Sequence, residues 1–110
     1  MNKGVYNGKR YLSEKTVQLF TSPYDCNNSN RRALGFDTPS AEKPSDILPK
    51  QANSKTFGHQ GFTGTVFWCD PKEELIYIFL SNRVYPDVEP NLLSKSKIRL
   101  LVHEKVYETL

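Results

Sequence analysis

The stretch Phe57-Gly58-His59-Gln60-Gly61-Phe62-Thr63-Gly64-Thr65-Val66-Phe67-Trp68-Cys69-Asp70-Pro71-Lys72-Glu73-Glu74-Leu75-Ile76-Tyr77-Ile78-Phe79-Leu80 decides the fold. From Gly64 to Asp70 the β-branched and aromatic residues Thr65, Val66, Phe67 and Trp68 predict a strand. Pro71-Lys72-Glu73-Glu74 predicts a turn, and Leu75 to Leu80 a second strand, so the pair reads as a hairpin. The second strand shows no polar alternation, which predicts burial on both faces at the centre of a sheet. A two-stranded hairpin cannot bury both faces by itself.

Downstream, the Pro86 to Pro90 break is followed by Asn91, a residue suited to cap a long helix. Ile98, Leu101, Val102 and Val106 recur there at helical spacing, with Lys95, Arg99, Lys105 and Glu108 for the wet side, so the helix should pack on the sheet. Upstream, Asn, Ser, Asp, Pro and Lys dominate from Ser22 to Lys55, which reads as loop with a short strand around Ala33 to Phe36. Nearer the start, Asn7-Gly8 marks a turn, and Ser13 caps a helix of about two turns with Glu14 at its positive end. Val17 and Phe20 share one face of that helix, and Pro23 ends it. The fold class is α+β: an antiparallel sheet with a short N-terminal helix and a long C-terminal helix.

The 110 residues have room for one domain, residues 1–110. The net charge of +3 comes from 15 basic and 12 acidic residues interspersed along the chain, which does not make the basic stripe that nucleic acid needs. The basic doublet Arg31-Arg32 reads as a solvated loop rather than an anion site. No apolar run approaches the ~18 residues that span a bilayer, and no signal-peptide core follows Met1-Asn2-Lys3-Gly4. Cys26 and Cys69 lie far apart and without clustered His partners, which argues against zinc. They read as free thiols, a single disulfide staying open in an oxidising compartment.

The chemistry concentrates in Phe57 to Thr65, where glycines permit close backbone approach and one His stands among small polar residues. Here the chain resembles the class C β-lactamases and their esterase, peptidase and penicillin-binding relatives, whose third active-site motif is Lys or His, Thr or Ser, then Gly. His59-Gln60-Gly61 fits with one departure, and further features follow in the family's order. They are the strand from Gly64, the Asp70-Pro71 turn, and Ser81-Asn82-Arg83-Val84-Tyr85-Pro86, which is similar to the Asn-Lys/Arg-x-Tyr-Pro segment of class C enzymes. Leu12 to Phe20 and Leu34-Gly35-Phe36 are similar to the helix and strand that precede the motif, so the resemblance covers nearly the whole chain.

That resemblance implies the C-terminal portion of a β-lactamase/transpeptidase-like domain, acting through a serine ester without metal or cofactor. It implies catalytic roles for His59, in the proton network, and for Phe62, whose backbone N–H would donate to the oxyanion. Gln60, Gly61 and Thr63 would contact an ester or amide substrate, small or peptide-like, partly as an added strand would. Gln60 stands where a hydroxyl residue usually helps to hold a carboxylate, and Asp87 and Pro90 occupy the positions that assist it. The implied activity is therefore that of an esterase or peptidase rather than a β-lactamase, in an extracytoplasmic, bacterial setting.

The family's Tyr-x-Asn motif occurs nowhere in the chain. Ser40-Ala41-Glu42-Lys43 and Ser94-Lys95-Ser96-Lys97 match Ser-x-x-Lys but read as coincidences, one in a Pro-rich loop and one after the third motif. The chain alone should thus be inactive and open to self-association through its apolar strand. The competing reading is a non-catalytic interaction or peptide-binding module on the same topology. Trp68, Phe67 and Phe79 read as core, and His103 as an ordinary surface or boundary residue of the last helix.

Overall fold

The computed structural model describes residues 2–23, 32–39 and 47–110. Strands β1 (Val5–Tyr6) and β2 (Lys9–Arg10) form a small hairpin around Asn7-Gly8, both of which adopt positive φ. Helix α1 (Glu14–Thr21) follows, and Ser13 caps it by accepting from the Thr16 N–H at 3.0 Å. No residue of α1 is buried: Val17 is half-buried and Phe20 is exposed, so its apolar positions do not reach the main core.

The main sheet has three antiparallel strands in the order β3 (Phe57–Gln60), β4 (Val66–Asp70), β5 (Leu75–Phe79). Register sets the faces, because residues directly opposite on neighbouring strands share a side. Gly58, Trp68 and Tyr77 form one row, and His59, Phe67 and Ile78 the next, on the opposite face. The first face carries the core, in which Leu48, Val66, Trp68 and Tyr77 pack with Ile47, Ala52, Phe79 and Val106. Each buried large apolar side chain there contributes roughly 1.5–3 kcal/mol.

The expectation that Leu75 to Leu80 is buried on both faces is corrected. Tyr77 is buried, whereas Ile76, Ile78 and Leu80 are 59%, 61% and 79% exposed. Among the described residues β4 is the central strand and β5 an edge. The unbroken apolar run is real, but nothing described covers its second face.

The segment Ala33 to Phe36 is a tight turn rather than a strand. Ala33 N–H donates to Phe36 C=O, and an isolated bridge joins Arg32 to Asp37. Asp37 then pairs with Gly58 on the outer edge of β3, and Phe36 packs edge-on against Phe57 and Phe67. This turn covers part of the second face, over β3 and β4, and leaves the β5 run bare.

Asn91 does not cap one long helix. Its side chain caps the one-turn α2 (Leu92–Lys95), and Lys97, in the left-handed region at φ 52°, breaks the chain before α3 (Ile98–Tyr107). The face of α3 turned to the sheet also differs from the apolar stripe. Ile98, Leu101 and Val102 are exposed, whereas His103 is 1% exposed and stacks on Tyr77. Arg99, placed on the wet side by its charge, is half-buried.

Asp70 joins these pieces. Its carboxylate accepts from the backbone N–H groups of Asn53, Lys72 and Glu73 and from the Tyr107 hydroxyl at 2.7 Å. Burial alone would raise its pKa; the hydrogen bonds outweigh burial and hold it below the ordinary carboxylate value. Cys69 beside it is a free, buried thiol whose pKa burial pushes up, and Cys26 lies outside the described residues.

Candidate active-site strand

Strand β3 presents His59 and Gln60 to opposite faces of the sheet. His59 is exposed on the open face, in a groove of about 400 Å3 shared with Gly61, Thr65, Phe67 and Ile78. Gln60 lies in the row of Val66 and Phe79 and faces the helices behind. The two side chains do not converge in the structure.

Beyond β3 the chain turns sharply. Gly61 N–H donates to Thr65 C=O at 2.8 Å, and Gly64 N–H donates to Gly61 C=O at 3.0 Å. A Cβ at Gly61 would collide with the Thr65 hydroxyl, and Gly64 has φ +94°, so this turn requires both glycines. Phe62 sits at its tip, 69% exposed, and its N–H donates to no group among the described residues.

Three donors from the C-terminal segment hold the turn. Arg83 N–H reaches Thr63 C=O at 2.9 Å, the Ser81 hydroxyl lies 3.4 Å from the same oxygen, and the Arg99 guanidinium donates to Gly64 C=O at 3.2 Å. Arg83 also lays its guanidinium over the Phe62 ring, 4.6 Å from the centroid. Thr63 therefore acts through its backbone, as the anchor of the turn. Asn82 is exposed, next to the residue that makes the anchor.

A second group gathers along the outer edge of β3. Arg32 contacts Asp37 at 3.0 Å and lies 3.4 Å from His59 Nε2. The Asp37 oxygen accepts no directed hydrogen bond from it, so the contact is one of charge. Composition alone read Arg32 as solvated loop; the Asp37–Gly58 bridge is what carries it to His59. No cluster of metal-ligating side chains occurs among the described residues.

Strand β3 thus ends in a glycine-braced turn and carries an imidazole on the open face of the sheet. A family model described as beta-lactamase matches residues 3–98. The chain belongs to the beta-lactamase family. Its fold is that of the β-lactamase and penicillin-binding superfamily, in partial form.

Among curated proteins, the chain is 30% identical over 97 residues to an N-acetylmuramyl-L-alanine amidase of Bacillus subtilis (strain 168), covering 84% of this chain and 22% of that protein. Two further relatives carry the provisional name D-alanyl-D-alanine carboxypeptidase. One, from Escherichia coli O157:H7, is 25% identical over 119 residues, covering 100% of this chain and 27% of that protein. The other, from Salmonella gallinarum, is 30% identical over 99 residues, covering 84% and 22%. This beta-lactamase-family chain thus spans about a quarter of the length of the relatives it matches. No helix among its described residues is long and apolar enough to cross a membrane.

Proposed function

We propose that the chain is the C-terminal, third-motif wall of the active site in a serine hydrolase of class C type, an esterase or peptidase working through an acyl-serine intermediate. The single observation that carries this reading is an exposed His59 on the open sheet face together with a Phe62 N–H, unengaged among the described residues, in the turn that follows the same strand.

Serine attack on an ester or amide carbonyl forms a C–O bond and moves charge to the carbonyl oxygen. The Phe62 N–H donates to that oxyanion, and the turn that bears it is already tied down at Thr63 and Gly64. The site therefore needs little reorganisation at the moment of reaction. His59, from the open face, relays the proton that leaves the serine toward the departing alcohol or amine. Water then cleaves the acyl ester by the reverse proton path. The nucleophilic Ser, the Lys of its motif and the Tyr of the second motif come from residues outside this sequence, and the chain by itself is inactive.

The names of the relatives, an amidase and carboxypeptidases, favour a peptide-like amide or ester substrate, and cell-wall material in an extracytoplasmic compartment is the natural setting for it. Gln60 turned away from His59, and Asp87 exposed in the acidic stretch after Pro86, disfavour a β-lactam carboxylate. The test is hydrolysis of p-nitrophenyl acetate and a D-alanyl-D-alanine peptide by the native protein that carries this chain. Phe62→Pro, which deletes the donor, should lower kcat about a hundredfold or more. Turnover unaffected by Phe62→Pro and His59→Ala would leave the alternative, a non-catalytic peptide-binding module using the same open face.

A further inference from the structure

Behind β3, on the face opposite His59, a pocket of about 240 Å3 opens between the sheet and the corner where α2 meets α3. Trp68, Val66 and Leu100 give it an apolar wall, and Gln60 and Ser94 supply an amide and a hydroxyl. Its remaining polar residues are cations, Lys97 and Arg99, and no acidic side chain among the described residues lines it.

Among the described residues those cations have no counter-charge. Neither Lys97 nor Arg99 pairs with a carboxylate among the described residues. Arg99 spends one donor on Gly64 C=O and keeps the others. Burial, reinforced by the positive charge of nearby Arg83, lowers the Arg99 pKa, so the guanidinium is held where its charge is costly. The start of α3 adds to the imbalance. Its first turn has no acidic residue, Lys97 offers no side-chain cap, and both cations stand at the positive end of the helix, where a cation is disfavoured.

A half-buried positive site bordered by an indole and aliphatic side chains is completed by an anion that has an apolar end. The volume lies below the ~300 Å3 at which pockets for drug-sized ligands begin. We propose that this pocket binds a small organic carboxylate with a short apolar tail, its head between Lys97 and Arg99 and its tail against Trp68. The site is separate from the His59 groove, and it stands or falls independently of the hydrolase reading.

Trp68 is the one tryptophan of the chain, and its indole lines the pocket, so its emission reports occupancy. The experiment titrates the 110-residue chain with sodium hexanoate at fixed ionic strength, with hexanol and hexylammonium chloride as controls. Hexanoate should give a saturable change with a millimolar midpoint. Lys97→Gln should raise that midpoint about tenfold, the loss of one charge-assisted contact, and Lys97→Arg should restore it. Lys97 is exposed, so these variants keep the fold; Arg99→Gln, which also loosens Gly64, is read beside them. A non-saturating response, an equal midpoint for hexanol, or a midpoint indifferent to Lys97→Gln would overturn the proposal.

Discussion

The imidazole of His103 lies flat on the ring of Tyr77, with centroids 4.0 Å apart and planes 5° from parallel. Its Nε2 has no hydrogen-bond partner among the described residues, and burial depresses its pKa to about 4, the Asp70 charge offsetting only part of that. Above pH ~6.5 the group is neutral folded and unfolded, and stability does not depend on it. As pH falls from ~6.5 toward 4 the unfolded chain takes up a proton that the folded chain refuses, so stability is lost across that window, by on the order of 3 kcal/mol. Urea unfolding at pH 7 and pH 4.5 should show the loss, and His103→Phe should flatten it. An equal pH slope in that variant would assign the effect elsewhere.

The carboxylate of Asp70 accepts four hydrogen bonds. Asp70→Ala strands three backbone donors and the Tyr107 hydroxyl in a buried place, and should cost about 3 kcal/mol or more in urea unfolding. Tyr107→Phe removes one partner and should cost about 1–2 kcal/mol. The two should be non-additive, since they share a bond.

Ile76 and Ile78 test the bare face. In the isolated chain, Ile76→Lys with Ile78→Lys should reduce self-association in sedimentation runs while changing stability by no more than about 0.5 kcal/mol each. A marked loss of stability would mean that these side chains are buried in solution.

The motif turn predicts its own exchange pattern. Gly61 and Gly64 amides are bonded and should exchange slowly, whereas the Phe62 amide, bonded to nothing described, should exchange at least about tenfold faster. Arg83→Ala, which takes the guanidinium off the Phe62 ring, should speed exchange at Gly64 more than at Trp68.

The hairpin was legible because Thr65 to Trp68 and Leu75 to Leu80 carry strong strand preference around a Pro-led turn, and the Ser13 cap because capping is local. The ordered residues from His59 to Pro86 pointed to the family before any geometry did. What was not legible depends on partners distant in sequence. His103 looked like a boundary residue because nothing in its helix reveals that Tyr77 will cover it. Asp70 read as a turn residue because its ligands Asn53 and Tyr107 lie far from it along the chain. Lys97 broke the helix against its propensity, in a left-handed conformation that composition does not announce. For Leu75 to Leu80, pattern gave apolarity on both faces, but apolarity does not say what lies against them.

The most direct measurement is the site of covalent labelling by a fluorophosphonate in the native protein that carries this chain, located by peptide mass spectrometry. One labelled serine is expected, in a Ser-x-x-Lys sequence outside these 110 residues, with labelling slowed about a hundredfold by Phe62→Pro. Label on Ser40 or Ser94, or no label on a folded native protein, would contradict it.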